Sequence, residues 1–142
     1  MKKINYKLLA IFILIPIIIG TILGLLVVKG SNIDSILPSY IFPIVWTILY
    51  TLMGISSYIV YNELGYIPRV YIIQLIVNYL WVIIFFTFRA FLLAFIWIIL
   101  LMILVIIMIN KFRMVSKTAG NLQIPYLIWL IIAGILNLMF IL

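Results

Sequence analysis

Phe91 to Asn110 reads FLLAFIWIILLMILVIIMIN, twenty residues without a charge, a glycine or a proline. At about 1.5 Å of rise per residue this run makes a helix about 30 Å long, the thickness of a bilayer's hydrocarbon core. The rest of the chain is built the same way. Of its 142 residues, 70% are hydrophobic, against about 45–50% in a soluble domain. Only a lipid-facing surface absorbs that excess.

Working outward, Arg89-Ala90 alone separates this run from a preceding helix that opens at Pro68 and reaches Phe88. Proline suits a first helical turn, where its missing N–H costs nothing. Further back, Tyr40 to Tyr61 ends at Asn62-Glu63-Leu64-Gly65, and Leu8 to Val28 ends at Lys29-Gly30-Ser31-Asn32. On the other side, Lys111 to Gly120 is the longest polar connection, followed by Leu122 to Leu142. The expected fold class is therefore an all-α membrane protein, a bundle of five transmembrane helices over 8–28, 40–61, 68–88, 91–110 and 122–142. Residues 1–142 form one domain with nothing left for a soluble one. Met1-Lys2-Lys3 before an apolar run resembles a secretory signal peptide, but the run is too long and lacks a small-residue cleavage site, so a retained helix is expected.

Basic residues in short loops stay on the cytoplasmic side. Lys2, Lys3, Lys7, Arg69, Lys111, Arg113 and Lys117 share one side, against Lys29 and Arg89 on the other. The amino terminus is expected in the cytoplasm and the carboxyl terminus outside. Although the net charge is +7, the positive residues sit at helix ends and form no basic stripe, so nucleic acid is not an expected partner.

The chain has no Cys and no His, which removes thiolate nucleophiles, disulfides, imidazole bases and the usual ligands for zinc or haem iron. No metal and no cofactor is expected. Asp34 and Glu63, the two side-chain carboxylates, fall on opposite sides of the membrane in this topology, so they cannot act as a paired acid and base. No span carries an ionisable residue, which leaves an ion-driven pump without its normal hardware.

The informative residues are then the polar and aromatic ones at membrane depth. In the third span Gln74, Asn78, Trp81 and Phe85 recur at helical spacing, as do Tyr126, Trp129, Ala133, Leu136 and Asn137 in the fifth. The second span repeats the pattern with Trp46, Tyr50, Met53, Gly54, Ser57 and Tyr61. One reading makes these stripes helix–helix seams, with amides as interhelical glue. The other makes Trp46, Asn78, Trp81 and Trp129 the walls of a cavity for a large, flat, mainly apolar ligand. Tyr40, Tyr61, Tyr66 and Tyr71, near helix ends, read as an interfacial belt. Gly20 and Gly24 form a GxxxG pattern that permits close backbone approach.

The residues also resemble a known family. Phe42-Pro43-Ile44-Val45-Trp46-Thr47-Ile48-Leu49-Tyr50 with Met53-Gly54, Gln74-Leu75 with Asn78, Trp81, Phe85-Phe86 and Arg89, and Pro125-Tyr126-Leu127-Ile128-Trp129 with Ala133 and Leu136-Asn137 are similar to the motifs of the translocator protein or tryptophan-rich sensory protein family, the former peripheral benzodiazepine receptor family. The resemblance implies a five-helix bundle of bacterial type in the cell membrane, often a homodimer, with a pocket among the upper halves of the helices. It implies porphyrin or another planar apolar small molecule as ligand, alongside membrane lipid.

The pocket residues it implies are Gly24 and Val27, Trp46, Asn78 and Trp81, Leu93, Ile96 and Leu100, and Trp129, Ala133 and Leu136. Lys29 and Arg89 fall on the side of the pocket mouth, where they could meet propionates. Trp46 and Trp129 match tryptophans linked in bacterial relatives to porphyrin breakdown in light. The function expected is thus a membrane receptor or carrier for tetrapyrroles. The alternatives are a light- and oxygen-dependent porphyrin-degrading enzyme that uses Trp46 and Trp129, and a structural interaction protein. The chain departs from the family pattern at Leu37-Pro38-Ser39-Tyr40, where relatives carry a double proline and a tryptophan, and at its carboxyl end, where the steroid-recognition motif is absent.

Overall fold

The computed structural model describes residues 3–28 and 40–142. Helix α1 spans Tyr6–Leu23 and continues as a π-helical stretch over Gly24–Val28. Helix α2 spans Ile41–Leu64, and α3 spans Arg69–Val82 with a π-helical stretch over Ile83–Thr87. Helix α4 runs over Phe91–Val115, the short α5 over Lys117–Asn121, and α6 over Ile124–Met139. These make five helical segments long and apolar enough to cross a membrane, α5 and α6 together forming the fifth. There is no strand among the described residues.

Side-chain pairings fix the directions. Asn5 N–H donates to the Tyr58 hydroxyl at 2.7 Å, which sets the start of α1 beside the end of α2. Tyr79 donates to the Pro16 carbonyl at 2.8 Å and the π-helical stretches that end the two spans touch, so α3 runs parallel to α1. Tyr71 lies 6.3 Å from Phe112, and Trp97 Nε1 donates to the Val77 carbonyl at 3.0 Å, so α4 runs back along α3. Lys3, Lys7, Arg69, Lys111, Arg113 and Lys117 therefore gather at one end of the bundle, the basic end, and Arg89 at the other.

The main departure from expectation is α4, which does not stop at Asn110. It continues through Lys111, Phe112 and Arg113 because lysine and arginine are good helix formers and favour a helix C-terminus electrostatically. Phe112 in this turn is fully buried. Ser116 then turns the chain in extended conformation, and its Oγ accepts from the Ala119 N–H at 3.3 Å to cap α5. The expected polar loop is thus mostly helix.

Helix α1 is peripheral: Pro16 is its one buried residue among those described. Proline has no N–H, so it leaves the Phe12 carbonyl, four residues back, without its helical donor. Gly54 of α2 packs against this point. A Cβ on Gly54 would stand 2.6 Å from the Phe12 carbonyl oxygen and 2.5 Å from the Ile13 Cα, so only glycine fits. The expected GxxxG contact divides differently. Gly20 lies against the Tyr50 ring, whereas a Cβ on Gly24 would meet nothing within 4 Å. Close backbone approach in this seam belongs to Gly54.

Candidate functional site

The three stripes all turn inward. Gln74, Asn78, Trp81 and Phe85 are buried, as are Tyr126, Trp129, Ala133 and Asn137, and Tyr50, Met53, Gly54 and Ser57. Polar groups at this depth need partners within the protein, because hydrocarbon offers none. Asn78 supplies them at the centre. Its Oδ1 accepts from the Tyr50 hydroxyl at 3.0 Å and its Nδ2 donates to the Tyr126 hydroxyl at 2.7 Å, while Tyr126 donates to Gln74 Oε1 at 2.8 Å. The amide expected to face a ligand instead ties α2, α3 and α6 together, at 1% exposure.

Around Trp46 the aromatic side chains form a cluster between α2 and α6. Trp46 stacks on Tyr50 with ring centres 5.5 Å apart and meets the edges of Tyr126 at 6.2 Å and Trp129 at 6.5 Å. Phe42 reaches Trp129 at 5.9 Å. Trp46 is half-buried, and Trp129 is 8% exposed. The Trp129 indole N–H has no hydrogen-bond partner. Beside it opens a groove of about 270 Å³ lined by Val45, Ile48 and Leu49 from α2 and Pro125, Ile128, Trp129 and Ile132 from α6. Apart from Trp129, the sequence reading did not single out these residues for the site. All but Ile132 stand in the motifs that carry the family resemblance, yet nothing in a sequence reveals which of their aliphatic residues flank an opening.

Trp81 belongs elsewhere. It stacks on Phe85 at 5.1 Å, and its Nε1 donates to Asn137 Oδ1 at 3.1 Å. Asn137 Nδ2 donates in turn to the Phe91 carbonyl at 2.9 Å. Phe85, Phe91 and Phe140 close this corner with ring centres 5.0–5.2 Å apart. The four residues read together as one cavity are thus divided between a cluster on α2 and α6, the central hydrogen-bonded tie, and a phenylalanine-filled corner among α3, α4 and α6.

Other expected positions also separate. Leu93, Ile96 and Leu100 are 49%, 56% and 41% exposed and lie on the outer face of α4, which turns Ala94, Ile98, Leu101 and Val105 inward instead. They do not line the interior of the bundle, because the face that α4 packs against its neighbours is the one carrying Ala94, Ile98, Leu101 and Val105. Ala133 is buried one turn beyond Trp129, and Leu136 is half-buried. Gly24 and Val27 are half-buried in the π-helical stretch of the first span, which touches the π-helical stretch of the third. Arg89 is exposed and takes a left-handed backbone conformation with φ 52°. Lys29 lies outside the described residues. Tyr71, read as interfacial, is 4% exposed against Phe112, whereas Tyr40 and Tyr66 are exposed as expected.

Rings that meet edge to face, with one buried and unpaired indole N–H among them and an apolar groove alongside, can offer aromatic contacts to an apolar molecule. The described residues in this cluster include no acid or base.

Comparison with known proteins gives one consistent result. Residues 12–142 match the TspO/MBR family. Over 106 residues, 70% of this chain, it is 36% identical to the tryptophan-rich protein TspO of Chlorobaculum tepidum, covering 67% of that protein. It is 34% identical over 106 residues to the protein CrtK of Rhodobacter capsulatus, covering 66% of it. It is 34% identical over 107 residues to the translocator protein of Ovis aries, covering 63% of it. The matched region thus spans about two thirds of the length of these relatives.

Proposed function

The chain belongs to the TspO/MBR family, and on that premise we propose that this integral membrane protein is a receptor or carrier for porphyrins, which it holds against Trp46 and Trp129 in the seam between α2 and α6. The observation that carries this reading is Trp129, nearly buried yet with a free indole N–H, set edge-on to Trp46 beside an apolar groove. A seam made only for packing gains nothing from an unpaired donor at membrane depth, where each such group is costly. A macrocycle with polar edge groups meets both the aromatic surfaces and the donor. In this reading Arg89, on the end opposite the basic residues, tunes affinity for propionates, with the macrocycle supplying most of it.

The test is titration of protoporphyrin into the purified protein, followed by tryptophan fluorescence. Each aromatic contact contributes about 0.5–1.5 kcal/mol beyond its buried area, so Trp46→Ala and Trp129→Ala each weaken binding by roughly twofold to tenfold or more. Unchanged affinity in both folded variants would remove the site. With no His or Cys in the chain, free protoporphyrin binds at least as tightly as haem, and a haem spectrum showing ligation by the protein would contradict that.

A second reading, light- and oxygen-dependent porphyrin degradation, is favoured by the contacts of Trp46 with Tyr50 and Trp129, an array of oxidisable rings beside the same site. Illumination without oxygen separates the two, since degradation stops and binding persists.

The reading extends to a bacterial cell membrane with the basic end in the cytoplasm. Single cysteines at Met114 and Phe88, both well exposed at opposite ends, then react with an impermeant reagent from opposite faces. Reaction of both from one face would refute this orientation.

A further inference from the structure

Below the Tyr126 to Asn78 hydrogen bond, towards the basic end, two glutamines are completely buried: Gln74 of α3 and Gln123, which precedes α6. Gln74 is one turn before Asn78 and Gln123 one turn before Tyr126. Tyr126 links the two: its hydroxyl bonds Gln74, and Gln123 lies one turn before it on the same face of the fifth span. Their hydrogen bonding is incomplete. Gln74 Oε1 is used by Tyr126, but Gln74 Nε2, Gln123 Nε2 and Gln123 Oε1 have no partner.

An amide left unpaired at this depth is expensive, and three such atoms on two side chains linked through Tyr126 require an explanation. We propose that Gln74 and Gln123 form a binding site for ordered water inside the bundle, at the basic end of the α3–α6 seam. The chemistry fits water. The site offers amide N–H donors on both residues and one carbonyl acceptor. One water that accepts from Gln74 Nε2 and donates to Gln123 Oε1 satisfies those two atoms, and a second that accepts from Gln123 Nε2 satisfies the third, each within the two to four hydrogen bonds typical of buried water. The neutral amides offer a cation no carboxylate and an anion no positive charge. Tyr126 joins this site to the aromatic cluster, since the same side chain bonds Gln74 and meets the edge of Trp46. The water site therefore helps to fix the orientation of a ring beside the proposed ligand seam, although it does not depend on what that seam binds.

The test uses the full chain in lipid bilayers, labelled with 15N in its glutamine side chains and observed by water-edited solid-state NMR. Magnetisation transfer from water to the side-chain amides of both Gln74 and Gln123 is expected. Absence of transfer to either, with the two amides bonded directly to each other, would overturn the proposal. A second arm uses Gln123→Met, similar in shape but apolar. If water bridges the pair, this variant strips the water and Gln74 of a partner, and Tm falls by about 3 °C or more. A dry, unpaired Gln123 gives the opposite sign, because removing an orphaned polar group from the interior raises Tm.

Discussion

Helix α2 meets its neighbours in two different ways. Against α1 the contact is made by backbone, with Gly54 pressed on the Phe12 carbonyl that Pro16 leaves unpaired. Against α6 it is made by side chains, the rings of Phe42, Trp46, Tyr126 and Trp129, with a groove alongside. A backbone seam has essentially one solution, since no rotamer change relieves it. A seam of rings beside an open groove can readjust around a guest by rotating side chains. The difference teaches where to look for a ligand in a bundle that has almost no charged residue at depth: at the seam that side chains hold, away from the one that glycine closes.

The sharpest way to break this contrast is to overfill the first seam. Gly54→Leu places a branched side chain where even a Cβ stands 2.5 Å from the Ile13 Cα, and the cost is about 3 kcal/mol or more. Reversible unfolding in detergent measures it, and a variant as stable as the parent would mean that α1 is not fixed by this contact.

A smaller effect is expected at the central tie. Asn78→Leu removes the acceptor for the Tyr50 hydroxyl and the donor to Tyr126, at a cost of about 2 kcal/mol, while porphyrin affinity falls less than in Trp129→Ala. If Asn78→Leu abolishes porphyrin binding and leaves stability intact, Asn78 belongs to the ligand surface and the division between tie and site is wrong.

The smallest effect is expected at the rim. Arg89→Gln weakens a dicarboxylic porphyrin by under about 1 kcal/mol, as for other exposed ion pairs, and leaves its dimethyl ester unaffected. Equal loss for acid and ester would take Arg89 out of ligand recognition.

Much of this was legible in the residues. The five spans follow from apolar runs of bilayer length, and the inward stripes follow from helical spacing, because α2, α3 and α6 keep their amides and rings on one face each. The extension of α4 past Asn110 was not legible by charge alone. Lys111 and Arg113 look like a loop, but both are compatible with a helix whose buried side is Phe112. The four tryptophans also divide in a way that spacing does not show. Trp97, to which the sequence reading gave no role, ties α4 to the Val77 carbonyl, and Trp81 caps a corner of phenylalanines.

By itself the sequence determined the solvent of this protein, the number of its spans, and which face of three helices avoids lipid, for these depend on length, charge and period along one chain. Tertiary structure alone decided which inward residues share a wall. Trp46 and Trp129 come together, and Trp81 and Leu93 do not join them, because helix rotation and seam width are set by contacts between helices. A bond such as that from Asn78 to Tyr126, or a glycine such as Gly54 lying on a freed carbonyl, joins residues far apart in sequence, and no local pattern records their distance.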